Sequence, residues 1–195
     1  MKENKAKVER RTNETDIKVE IDLNGSGKTN IETGIPFFNH MLEQIGKHGF
    51  IDLTVQAKGD IDVDFHHTVE DTGICLGQAL NQALGDRTGV KRFGTANIPL
   101  CEALSSVTVD LCSRPFLVFN VKLDGKVGDF DVELVSEFFH AFVANADITL
   151  HINNQYGSNA HHLIETVFKG VGKAINVALE EETRGDSTLS TKGVL

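Results

Sequence analysis

Asp64-Phe65-His66-His67-Thr68-Val69-Glu70-Asp71 and Asn159-Ala160-His161-His162-Leu163-Ile164-Glu165 carry one pattern, His-His-x-x-Glu, in two copies about 95 residues apart. Each copy opens a stretch with helical spacing that follows a strand and a turn. The first runs from His66 to Leu84 and ends at Gly85, and the second shows an apolar face through Ile164, Val167, Phe168, Val171, Ile175 and Leu179. A strand, a turn and a motif-bearing helix that recur together indicate an internal duplication. The expected fold is therefore α+β, a β-sheet plus two-helix unit present twice, with the two halves packed as one compact body. The repeats are placed at about 8–95 and 96–185 of a single domain spanning 1–195, with a C-terminal substrate-binding tail at 186–195.

Working outward, Ile17, Val19 and Ile21 alternate between Asp16 and Asp22 and predict a half-buried strand, turning at Asn24-Gly25-Ser26-Gly27. Phe37, Phe38, Met41, Leu42 and Ile45 have helical spacing between Pro36 and Lys47, which places His40 on a helix. Alternation predicts strands at Ile51 to Ala57 and Ile61 to Asp64. In the second half strands are expected near Val107 to Leu111, Phe116 to Leu123, Val127 to Phe130 and Asp147 to Ile152, with a helix from about Val132 to Ala146.

Residues four apart share a helix face, so His66 with Glu70, and His161 with Glu165, can grip one ion from one side. His67 and His162 lie about 100° around the helix and must serve a different ion or a different subunit. His40, and His151 on a strand facing away from Leu150 and Ile152, are placed to complete the sites. His40, His66, His67, Glu70, His151, His161, His162 and Glu165 supply four donors to each of two ions, and an octahedral metal keeps two positions open. His48 and His140 stand outside this scheme, the latter read as structural among Phe138, Phe139 and Phe142. Asp71, four residues after His67, is placed either to orient it as an acceptor or to stand as an exposed helix carboxylate, the two readings having equal weight.

Cys75, Cys101 and Cys112 are an odd number with no CxxC spacing, so neither a thiolate zinc site nor a disulfide framework is indicated. Imidazole and carboxylate ligands favour manganese, iron or zinc. A formal charge of -9 offers no basic stripe for nucleic acid, although a small phosphate remains a feasible partner. There is no apolar run of membrane length, and Met1 to Arg11 has charges without a hydrophobic signal region, so a cytoplasmic location is expected.

Beyond the two motifs, Arg11-Thr12-Asn13-Glu14-Thr15, Phe38-Asn39-His40-Met41-Leu42, Gly59-Asp60, Arg92-Phe93-Gly94, Arg114-Pro115 and Ser190-Thr191-Lys192-Gly193 occur in order. With them the chain resembles the imidazoleglycerol-phosphate dehydratase family from about Val8 to Leu195. The resemblance implies a hydro-lyase of histidine biosynthesis that converts imidazole glycerol phosphate to imidazole acetol phosphate. It also implies two manganese ions per active site that stabilise the substrate as its imidazolate. Glu14, His66 and Glu165 are the implied catalytic residues, Glu14 as general acid or base. Arg92, Arg114, Ser190, Thr191 and Lys192 correspond to phosphate-binding positions, and Lys169 is placed with them, while Glu14, His40, His66 and His67 also face substrate. The family assembles as trimers that combine into a 24-subunit shell with shared sites.

The chain departs from the family pattern at Asn39, where Asp is usual, at Cys101, which takes an acidic position beside Glu102, and at Cys112-Ser113 before Arg114. Loss of the acid at residue 101 leaves a catalytically impaired, metal-assembled homologue as one alternative. A metal-dependent hydrolase of a small phosphorylated substrate is another, using the same donors to activate water. Metal storage is a third, in which the arginines and Glu14 would have no task.

Overall fold

One order of elements occurs twice in the chain. The computed structural model describes residues 4–184 and 189–191. Strands β1 (Lys5–Arg11), β2 (Thr15–Asp22) and β3 (Thr29–Glu32), helix α1 (Pro36–Gly49), strand β4 (Asp52–Gly59) and helix α2 (His66–Leu84) form the first unit. The second has strands β5 (Phe93–Leu100), β6 (Ala103–Asp110) and β7 (Phe116–Asn120), helix α3 (Leu134–Ala146), strand β10 (Thr149–Tyr156) and helix α4 (Ala160–Leu179), with a small hairpin, β8 (Lys126–Val127) and β9 (Phe130–Asp131), inserted before α3. The sheets have matching orders, β1-β2-β4-β3 and β5-β6-β10-β7, and the last pair of each is parallel.

Each sheet buries its inner face under its own helices, α2 on β1 and β2, and α4 on β5 and β6. The two helix layers then meet, α1 against α4 and α2 against α3, so that helices lie between two outer sheets. Phe38, Phe138, Phe139, Phe142 and Phe168 fill the middle with almost no exposure. Two glycines set how closely the helices approach. A Cβ on Gly77 would lie 2.5 Å from the Phe142 carbonyl oxygen, and one on Gly172 would lie 2.5 Å from that of Ile45. No side chain fits either contact without moving backbone.

The α+β class and its duplicated unit follow the expectation, but several boundaries do not. Residues 61–63 form a turn rather than a strand: Val63 donates its N–H to the Asp60 carbonyl and is 71% exposed. Asp64 then accepts the His66 N–H, satisfying one donor at the start of α2. Strands β1, β3 and β5 have no counterpart in the alternation pattern. β1 buries only Val8 among charged neighbours, and Pro99 interrupts β5, as suits strands at sheet edges. The expected strand from Val127 to Phe130 is the hairpin of β8 and β9, and the boundary expected near residue 95 falls inside β5. Cys75 and Cys112 are buried and Cys101 is exposed, and burial raises the Cys75 thiol to about 11. Among the described residues no helix is long and apolar enough to cross a membrane.

Candidate functional site

The α1–α4 contact brings three expected metal ligands together. His161 and Glu165, one turn apart on α4, approach at 3.0 Å, and His40 from α1 lies 3.7 Å from the same Glu165 oxygen. One donor atom from each of the three lies within 4.8 Å of the others, which suits a single ion held by imidazole and carboxylate. Phe37 packs edge-on against His161 with ring centroids 5.3 Å apart and covers one side of the group. Lys169 bonds the other Glu165 oxygen at 2.7 Å. Burial pushes the Glu165 carboxyl up, but the Lys169 bond and charge, with His161 and His40, outweigh it and leave the group below the usual carboxylate range. Lys169 thus enters the site as the partner of a candidate ligand.

The first motif is more open. His66 and Glu70 lie 3.7 Å apart on α2, each nearly half exposed. Counting back from the left-handed residues that end α1 and α3, Phe50 and Asp147, the place of His40 on α1 is taken on α3 by Glu137. The helix contacts agree with that equivalence, since Gly77 meets α3 where Gly172 meets α1. Glu137, half-buried in the α2–α3 layer, is a candidate donor that the sequence reading missed, and only the duplicated topology exposes it.

The second histidine of each motif is held by a carboxylate on its Nδ1. His67 donates to Asp60 at 3.0 Å, and His162 donates to Glu102 at 2.8 Å. An Nδ1 hydrogen bond leaves Nε2 as the free lone pair and fixes the ring, the usual arrangement around an imidazole ligand. The Asp60 bond raises the His67 pKa above its ordinary value. Glu102 also accepts the N–H groups of Asn159 and Ser158; the Asn159 bond first and the His162 bond next bring its carboxyl down to about 2. Asp71 does not orient His67. It lies beneath the β1–β2 turn, bonded to Arg10 and Thr15.

Glu14 sits in that turn with its carboxylate 3.9 Å from His67 Nε2. It opens on a hollow of about 330 Å³ that Asn13, Lys58 and Asp60 also line. Arg92 is clamped to Asp110 at 2.7 and 3.0 Å and also donates to the Leu189 carbonyl, which brings Ser190 and Thr191 close to it along the chain. Arg114 is exposed just before β7, and Lys192 lies outside the described residues. His151 stands on the exposed face of β10 between Thr108 and Val118, apart from the three-donor group. His140 faces solvent while its phenylalanine neighbours turn inward, and His48 is shifted down by burial and then by the Lys169 charge. Asn39 accepts bonds from the Thr33 N–H and hydroxyl at 3.0 and 2.6 Å, so a neutral amide serves at this place ahead of His40.

Comparison with known proteins gives a consistent picture. A family model described as imidazoleglycerol-phosphate dehydratase matches residues 33–175. The enzyme of that name from Clostridium kluyveri is 54% identical over 189 residues, covering 96% of this chain and 97% of its own. The one from Trichlorobacter lovleyi is 52% identical over 97% of this chain and 98% of its own. Among solved structures, the Staphylococcus aureus enzyme superposes with a TM-score of 0.83 at 39% identity, over 91% of this chain and 99% of that one. The Pyrococcus furiosus enzyme, solved in complex with (S)-C348, gives 0.83 at 37% identity over 96% and 100%.

Proposed function

Since the chain belongs to the imidazoleglycerol-phosphate dehydratase family of hydro-lyases in histidine biosynthesis, we propose that it removes water from imidazole glycerol phosphate to give imidazole acetol phosphate with two manganese ions per active site. The observation that carries the metal dependence is the meeting of His40 with His161 and Glu165. His66 and Glu70 would hold the other ion, with Glu137, the α3 equivalent of His40, as the candidate third donor, and His67 and His162 each offer a free Nε2 to a neighbouring site. When bound, the ions supply Lewis acidity at the two nitrogens of the substrate imidazole, which makes loss of the adjacent carbon proton feasible.

Glu14 acts on the glycerol side chain, taking the carbon proton or returning one to the leaving hydroxyl. Its exposed carboxylate beside His67 supports that role, because a substrate held at His67 would have its side chain within reach of Glu14. His66 and Glu165 would serve as ligands to the ions. Arg92, Arg114, Ser190, Thr191 and Lys192 bind the phosphate, where arginine forks suit its oxygens. Lys169 pairs with Glu165 and favours its ionised form.

The site is completed by assembly, as trimers and then a 24-subunit shell. The two donor groups lie at separate helix contacts, α1–α4 and α2–α3, and the three donors gathered at the first leave coordination positions that a neighbouring chain would fill. The sheets support the same reading. The outer face of the first carries Lys5, Lys7, Glu9, Lys18 and Glu20, whereas the second presents Phe93, Thr95, Thr108, Phe116, Val118 and His151. Phe93 and Phe116 are 54% and 62% exposed there, and charge depletion with exposed aromatics marks surfaces that bury against a partner.

The purified protein, loaded with manganese under reducing conditions, is expected to convert imidazole glycerol phosphate to the acetol phosphate. Glu14→Gln is expected to keep its metal and lose turnover. No turnover by the loaded, assembled parent would overturn the assignment and implicate Cys101.

A further inference from the structure

Resting on the reading of Glu14 as the acid-base residue, we infer that Asp71 is the positioning residue that holds Glu14 over His67. Asp71 is only 7% exposed and lies on α2, the helix that carries His67. Its Oδ2 accepts the Thr15 hydroxyl at 2.5 Å and Arg10 Nη1 at 2.8 Å. Arg10 belongs to β1 and Thr15 opens β2, so one carboxylate oxygen ties both strands flanking the turn to the helix beneath it. Inside the turn, Thr12 Oγ1 accepts the N–H groups of Glu14 and Thr15 at 3.1 and 3.0 Å, and the Glu14 carbonyl accepts the Asp60 N–H at 3.1 Å. The backbone of Glu14 is therefore fixed from both sides, with its carboxylate 3.9 Å from His67 Nε2.

A buried carboxylate–arginine pair is weak support for stability, because apolar replacements of such pairs are often neutral. Its value here is geometric. A displacement of about 1 Å at a reacting group costs roughly 100-fold in rate, and Asp71 is the contact that sets the height of the turn above α2.

The test measures kcat, KM, manganese content and Tm for the parent, Asp71→Asn, Thr15→Val, Thr15→Ser, Glu14→Gln and the Glu14→Gln/Asp71→Asn double variant. Asp71→Asn and Thr15→Val are expected to lower kcat by roughly 10- to 100-fold, with KM and manganese content held. Thr15→Ser, which keeps the hydroxyl, is expected to match the parent. In the Glu14→Gln background, Asp71→Asn is expected to cost no further activity, because it acts through Glu14. An equal loss in both backgrounds, or a loss of manganese, would overturn the positioning role alone. Parent-like turnover by Glu14→Gln would overturn the reading of Glu14 and the inference with it. If Asp71→Asn does not fold, the two Thr15 variants report on the same contact.

Discussion

Glu14 and Glu102 occupy the same place in the two halves, each immediately before the second strand of its sheet and each facing the second histidine of a motif. Their surroundings differ. Glu102 is committed: it holds His162 and caps the backbone at Ser158 and Asn159 where the chain enters α4. In the first half Asp60 holds His67, so Glu14 has no clamping task and its carboxylate, 54% exposed, is left beside the ring. The two halves carry equivalent acids, and a single aspartate after β4 takes the clamping contact in the first half, which leaves Glu14 free for the role proposed for it. The candidate donors differ in the same way, with His40 on α1 and Glu137 on α3 at equivalent points.

The strongest challenge to this division comes from the ligands. Glu165→Ala is expected to abolish ion binding at the α1–α4 group together with turnover. Glu137→Ala is expected to weaken one manganese ion per chain by about 10- to 100-fold while sparing the other, by analogy with the loss of a group that supports a metal site. Metal titration of the assembled protein reads both, and unchanged affinity in Glu137→Ala would end the equivalence drawn between the two helix contacts. The packing tests it next. Gly77→Ala and Gly172→Ala are each expected to cost about 1–3 kcal/mol, as overpacked contacts do, and a large loss in only one would show by denaturant titration that the contacts are not alike.

The smallest effect concerns acid. Glu102 has its carboxyl lowered to about 2, so the stability it contributes is full above the ordinary value of 4.5 and is lost as pH falls from there through about 2. Glu102→Gln is therefore expected to show a shallower decline of Tm than the parent across that window. Parallel declines would mean that the clamp on His162 does not depend on charge.

Much of this was legible in the sequence. The motif helices and α1 declare themselves because their buried faces repeat with helical spacing, and the duplication follows from two motifs at matching places. The polar strand β1 was not legible, since an edge strand under a charged surface carries no apolar alternation. Nor were the partners of the histidines. Spacing of four residues along α2 allowed Asp71 either to orient His67 or to stand exposed, but that face of the helix is turned under β1 and β2, so Asp71 meets Arg10 and Thr15 while Asp60 reaches the ring from the end of β4. Glu137 was hidden for the same reason: its counterpart His40 is recognisable only once α1 is seen against α4 and α3 against α2.

The division of labour between the two glutamates is tested most directly by kcat for imidazole glycerol phosphate in Glu14→Gln and Glu102→Gln, each brought to the manganese content of the parent. A fall of about 100- to 10,000-fold is expected for Glu14→Gln, the range of general acid-base contributions, and a kcat within about tenfold of the parent for Glu102→Gln, the scale of one misplaced supporting contact. Equal losses in the two variants, or the larger loss in Glu102→Gln, would contradict it.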